Sequence, residues 1–270
     1  MSYRLIFLAA CLALANGVLA SNIRSWGMAT SGVSLSDEIA ILTNPASPGD
    51  TSASTVQAYV EDRYGIGLLR NCGLAFATAA GNRRIGMEVT QTGKAPYRNN
   101  QVNLSAGITL FSKSRFGISL RAYHRSVREQ QQTTSILTWG SSLGWWIQPF
   151  PKTSLGLVID HPESMTRTIS TNDEQPSIRC GLSWSPLRAI NWSLEAVQRS
   201  GTPIVVASGI RYQATSMLGF SCGWRSDRML LSMGSSVSFS TWRLDFYFEQ
   251  HRQLGTRTGA ALLFFLHKRS

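Results

Sequence analysis

From about Thr51 to the end of the chain, large apolar residues recur at every second position. Ile178, Cys180, Leu182 and Trp184 alternate with Arg179, Gly181 and Ser183, and Leu218, Phe220, Cys222 and Trp224 alternate with Gly219, Ser221 and Gly223. Trp242, Leu244, Phe246 and Phe248 alternate with Arg243, Asp245, Tyr247 and Glu249, and Val102 to Leu110 repeats the pattern against Asn103, Ser105, Gly107 and Thr109. A period of two puts the two sets on opposite faces of extended strands. One face is large and apolar; the other is mostly Gly, Ser, Thr and Arg, with few lysines anywhere. A soluble sandwich buries its large residues between two sheets and turns many Lys and Glu to water. Very small side chains with arginine suit a confined lumen instead, with the apolar face turned to lipid. The pattern predicts an all-β, antiparallel transmembrane barrel.

Turn signals divide this region: Gly81-Asn82, Gly93-Lys94, Ser112-Lys113-Ser114, Pro149-Phe150-Pro151, Pro186-Leu187, Ser200-Gly201, Ser226-Asp227 and Leu254-Gly255. Between them the alternation predicts strands near 54–61, 71–80, 83–91, 99–111, 115–127, 134–147, 153–160, 175–185, 190–199, 203–213, 216–225, 228–240, 242–251 and 256–267. About fourteen strands, an even number, suit a closed antiparallel barrel with short loops. Tyr64, Trp139, Trp145, Trp146, Trp184, Trp192, Tyr212 and Trp224 lie near strand ends and are expected at the lipid headgroups.

Composition agrees. Charged residues are 15% of the 270, against roughly 25% in ordinary soluble proteins. The mean hydropathy of −0.05 excludes a bundle of membrane helices. The first twenty residues read as a secretory leader: Arg4, an uncharged run from Leu5 to Ala15, then Val18-Leu19-Ala20 before Ser21. Leu8-Ala9-Ala10-Cys11 also matches a lipoprotein box, with Cys11 as the lipidated residue. Removing the leader takes one arginine from 26 basic residues and none of the 15 acids, so the remainder carries 25 − 15 = +10. Export argues against nucleic acid as the counter-charge and favours outer-membrane lipid and lipopolysaccharide. Cys72, Cys180 and Cys222 are widely spaced and odd in number, which gives neither a disulfide framework nor a metal site.

Residues 21–52 differ from the barrel region, 53–270. Ser36 is placed to cap a short helix whose first turn holds Asp37 and Glu38, and Asn44-Pro45-Ala46-Ser47-Pro48-Gly49 ends it.

Six arginines fall on the small-residue face: Arg121, Arg179, Arg211, Arg225, Arg243 and Arg257, with Glu88, Glu195 and Asp245 on the same face. Buried charges must be paired, so one expectation is a ladder in which these arginines meet the lumen acids together with Asp37 and Glu38. The other is a basic pathway for anionic head groups. No nucleophile elbow, phosphate-binding glycine loop, paired-cysteine site or EF-hand accompanies His124, His161, His251 and His267. The expectation is no enzyme and no cofactor.

Three stretches resemble known outer-membrane proteins. Trp26-Gly27-Met28-Ala29 through Leu35-Ser36-Asp37-Glu38-Ile39-Ala40 to Asn44-Pro45-Ala46 resembles the opening of FadL-like and PorV/PorQ-like barrels. Residues 193–225 look like paired strands of the PorV/PorQ group, and Leu244-Asp245-Phe246-Tyr247, His251, Leu254-Gly255 and Thr256-Arg257 look like its closing hairpin. Ser47-Pro48 departs from the glycine that usually follows Asn-Pro-Ala. The resemblance implies a fourteen-stranded barrel whose N-terminal segment folds into the lumen as a hatch, with Asn44-Pro45-Ala46 at the mouth or inside. It also implies binding of secreted proteins or secretion-machinery subunits, as in type IX secretion, or FadL-like uptake of a hydrophobic ligand. A third possibility is a structural barrel closed by its plug. The central and closing motifs favour the secretion-associated role.

Overall fold

The computed structural model describes residues 23–49, 54–111, 113–129, 132–166, 175–227, 229–251 and 254–266. The leader, with Cys11, lies outside them. Fourteen antiparallel strands close into one barrel: β1 Thr55–Arg63, β2 Asn71–Ala80, β3 Arg83–Lys94, β4 Tyr97–Phe111, β5 Ser114–Glu129, β6 Gln132–Phe150 and β7 Thr153–Asp160, followed by β8 Ser177–Leu187, β9 Ile190–Arg199, β10 Val205–Gln213, β11 Leu218–Arg225, β12 Met229–Ser238, β13 Trp242–His251 and β14 Gly255–Phe265. Each strand pairs with its sequence neighbours, and β1 closes on β14 from Thr55↔Phe265 to Arg63↔Arg257. Closure leaves no unpaired sheet edge, which a membrane core requires.

Helix is almost absent among the described residues. A four-residue α1 (Ile23–Trp26) and a 3-10 turn (Ala40–Leu42) lie in the N-terminal segment. Two further 3-10 turns, Gly67–Leu69 and Pro162–Thr166, lie in the connections after β1 and β7. Those two connections are at the end of the barrel opposite the termini. At the termini end the connections are tight turns. The β5–β6 hairpin rises above its neighbour, because β7 stops at Asp160, opposite Ser142 in the middle of β6.

The alternation sorts residues as the sequence suggested. Phe246 and Phe248 are exposed while Arg243, Asp245, Tyr247 and Glu249 are buried. Leu104, Ile118, Leu143, Ile178, Phe220 and Met233 are also exposed and turn outward. A soluble monomer rarely shows a continuous apolar surface of this extent, so the outer face is a lipid-facing one. Cys180 and Cys222 lie on it as free thiols, with Cys72 partly buried.

Three expectations need correction. Trp146 points into the lumen, 7% exposed, where its indole N–H donates to the Ser34 carbonyl at 3.0 Å. Adjacent residues on one strand take opposite faces, and Trp145 holds the outward one. Ser36 caps no helix: it is exposed, and the 3-10 turn Ala40–Leu42 begins after Ile39 without a side-chain cap. The lumen is also not uniformly small and polar. Ala75, Ala77, Leu263 and Phe265 form an inward apolar patch on β2 and β14 that covers Ile39, Ile41 and Leu42.

Candidate functional site

Residues 23–49 lie inside the barrel, and what admits them is a ring of residues without side chains. A Cβ added at Gly107 or Gly117 would collide with the Pro45 carbonyl, at Gly144 with Asn44 and Pro45, and at Gly156 with Val33. Gly209 and Gly223 meet Met28, and Gly86 meets Ile41. These positions are cross-strand partners: Gly107↔Gly117↔Gly144 over β4–β6, Gly156↔Gly181 over β7–β8, and Ser193↔Gly209↔Gly223 over β9–β11. Side-by-side glycines lower the lumen wall to bare backbone, and the segment runs along that trough.

Polar groups then fix its path. Asn44, fully buried, donates to the Val33 carbonyl at 2.8 Å and the Trp145 carbonyl at 3.2 Å, and its own oxygen accepts from the Ala46 amide at 3.0 Å. Pro45 sits with it inside the barrel. The Ser47 hydroxyl donates to the Leu35 carbonyl at 2.8 Å, a tie that glycine in its place could not make. The Glu195 carboxylate accepts from the amides of Gly32 at 2.8 Å and Val33 at 3.0 Å, and Ser232 Oγ accepts from Ala29. Arg84, buried on β3, donates to the carbonyls of Asp37, Glu38 and Ser47.

The charged residues converge on the same segment. Arg243 Nη1 is 2.9 Å from Glu38 Oε1 and its Nε is 2.9 Å from Asp245 Oδ2; Arg24 approaches Glu38 Oε2 at 3.4 Å. Burial alone would raise the Glu38 carboxyl, but the Arg243 and Arg24 guanidinium charges and the Arg243 hydrogen bond hold it well below the usual carboxylate range. Arg211 lies 3.9 Å from Asp37. Arg179 pairs with Asp160 at 2.8 Å, approaches Glu195 at 3.9 Å and donates to the Thr43 carbonyl at 2.9 Å. Arg121 pairs with Asp160 at 3.2 Å and Arg225 with Asp227 at 2.7 Å. Arg257 pairs with Glu61 across the closing seam, lies 3.6 Å from Glu249, and stacks 4.6 Å over the Trp26 ring.

The structure thus places all six named arginines in the lumen, but they form four groups rather than one ladder, with Arg225 apart on Asp227 and Thr30. Arg211 and Arg243 hold the acids of the segment. Arg121 and Arg179 share Asp160. Arg257 closes the seam. Asp160 is one lumen acid that sequence reasoning missed; Glu61 is another. Wholly buried, it accepts from Arg257, Asn71 and Tyr247 (3.0 Å) and pairs with Arg63 at 2.9 Å. Its place in the Gln57, Tyr59, Glu61 alternation was the available signal.

The segment leaves a chamber on each side. The one away from the termini is about 390 Å³ and is lined by Trp26, Leu42, Glu88, Arg121, Asp160 and Arg179 among others. The one at the termini end is about 330 Å³. Among the described residues no serine–histidine pair of hydrolase geometry lines either. Ser141 Oγ donates to Glu163, whose other oxygen is 3.1 Å from His161 Nδ1, so the carboxylate sits where a hydrolase would need its imidazole. Among the described residues no group of three His, Cys, Asp or Glu side chains could hold a metal ion.

No protein-family model matches the sequence, and no curated protein does. Solved structures do. The toluene transporter TbuX of Ralstonia pickettii superposes with a TM-score of 0.65 at 13% identity, over 91% of this chain and 97% of that one. A FadL homologue of Pseudomonas aeruginosa gives 0.65 at 10% identity over 93% and 99%. The toluene transporter TodX of Pseudomonas putida gives 0.63 at 9% over 91% and 98%. At such identities the likeness is one of fold: the chain is a closed fourteen-stranded antiparallel barrel of FadL-like architecture.

Proposed function

We propose that the protein is an outer-membrane channel for small molecules with an apolar part, closed at rest by residues 23–49. The carrying observation is the course of that segment, which crosses the lumen along the glycine trough and separates two chambers. A purely structural barrel gains nothing from two such cavities. The likeness to transporters of toluene supports an apolar solute, and the charged lining of the outer chamber favours one that also bears a polar group. Short connections at the termini end and longer ones opposite orient the termini to the periplasm.

The test is uptake of a radiolabelled monoaromatic solute by Gram-negative cells with an intact lipopolysaccharide leaflet. Cells displaying the folded protein take it up faster than empty-vector cells. Equal rates overturn the reading.

A second reading, a secretion-associated barrel that binds exported proteins, draws on the PorV/PorQ-like motifs and on the raised β5–β6 hairpin. There Ile136, Leu137 and Trp139 are exposed beyond the end of β7. Solved-structure neighbours favour transport over it. Co-purification of proteins sharing one C-terminal sorting domain would reverse that preference.

A further inference from the structure

The two chambers differ in charge balance. In the outer one, Arg121, Arg179, Arg199 and Arg225 face Glu88, Asp160 and Glu195, so cations and acids nearly balance. The inner one, at the termini end, is lined by Lys113, Arg115 and Lys152, and no carboxylate among the described residues lines it. Arg115 is only 7% exposed. Its Nη1 donates to Thr109 Oγ1, its Nε meets no acceptor, and it has no ion pair with a described acid. A buried guanidinium without a counter-charge is unfavourable unless an anion shares its cavity.

The neutral lining is also set to donate. Asn191 Nδ2 donates to both Ser183 Oγ and Ser185 Oγ at 2.8 Å, so those hydroxyls act as acceptors there and keep their own protons to give. Lys152 Nζ spends one N–H on the Pro186 carbonyl at 2.8 Å and retains two. The cavity therefore offers three cations and several hydroxyl donors, in a volume of about 330 Å³.

We propose that this inner chamber is a binding site for a small oxyanion, a carboxylate or a phosphate, with Arg115 as its principal ligand. The guanidinium presents parallel N–H groups that match two oxygens of either anion. Lys113 and Lys152, exposed on the turns before β5 and β7, draw the anion to the mouth. The site is the same whether the oxyanion is free phosphate or the carboxylate of an amphipathic solute, and it does not depend on solute passing through the barrel.

The test is calorimetric titration of the full-length protein, folded in a non-ionic detergent, with inorganic phosphate, with butyrate and with uncharged methyl butyrate. Saturable binding of at least one anion is expected, with a Kd of about 1 mM or tighter, and none of the ester. Phosphate alone binding identifies the free ion as the ligand, and butyrate binding identifies a carboxylate; either supports the site. Arg115→Gln weakens binding by about tenfold or more, the loss of one hydrogen bond to a charged group, whereas Arg225→Gln in the other chamber leaves it unchanged. Should Arg115→Gln fail to fold, the double substitution Lys113→Gln with Lys152→Gln at the exposed turns weakens binding in its place. The proposal is overturned if neither anion saturates, or if the folded variants titrate like the wild type.

Discussion

Arg243 on β13 joins the N-terminal segment to the barrel wall: one guanidinium is 2.9 Å from Glu38 of the segment and 2.9 Å from Asp245 of its own strand. All three side chains are buried. Arg243→Gln leaves two carboxylates facing each other without their shared cation, a change that costs about 3–5 kcal/mol when a buried pair is broken. The barrel is closed by backbone pairing, in which the Arg243 side chain has no part. The expected result of limited proteolysis is a cut between residues 23 and 49 in Arg243→Gln, with the barrel itself resistant. Equal protection of the segment in variant and wild type would show that Arg243 does not hold it.

The same contact sets a pH response. Because the folded Glu38 carboxyl is held well below its ordinary value of 4.5 by Arg243 and Arg24, its contribution is complete above that value. It is lost progressively as the pH falls below 4.5 toward the depressed folded value. Protease protection of the segment should be level from neutral pH to about pH 5 and decline only in stronger acid. Glu38→Gln should remove the acid-dependent part. A midpoint near neutral pH would contradict the assignment.

Glycine to valine normally helps a strand. At Gly117 the sign reverses, because the added Cβ meets the Pro45 carbonyl. Gly117→Val is expected to destabilise by about 1–3 kcal/mol as an overpacked contact, read as a lower unfolding midpoint in urea. In a protein lacking residues 23–49 the same substitution should be neutral or stabilising. A penalty of equal size in both backgrounds would mean that the glycine serves the strand and not the segment.

Leu244 lies on the outward face of β13, opposite Leu262 and Val237. Leu244→Arg should reduce folding into lipid vesicles by roughly 2–4 kcal/mol if it lies near the midplane. Unchanged folding of Leu244→Arg, together with failure of Asp245→Arg, would invert the facing of this strand.

Most of the barrel was legible because one physical rule, the alternation of faces, repeats on every strand and the two environments differ so sharply. The same rule, applied strictly, excludes lipid-facing positions for both Trp145 and Trp146. Rim aromatics are simply a weaker signal than strand parity. The course of residues 23–49 was not legible in the same way. No periodicity governs an irregular segment. Its path depends on Gly107, Gly117 and Gly144, or Gly209 and Gly223, becoming neighbours only once registers are set. Glu61 escaped for a related reason: its partners Arg257 and Tyr247 are nearly two hundred residues away and meet it only when β1 closes on β14. The partition of six similar arginines into separate groups likewise lives in three dimensions.

The central claim is that residues 23–49 close the lumen. It is tested most directly by single-channel conductance in a planar lipid bilayer, comparing the wild type with protein lacking those residues. With the segment in place the lumen is divided into two separate chambers, so the wild type should stay closed or show only brief, small openings. Without it, a fourteen-stranded barrel whose inner wall is glycine, serine and arginine should hold a continuous water-filled path and conduct steadily. Equal conductance of the two proteins, with both barrels shown to be folded, would contradict the account.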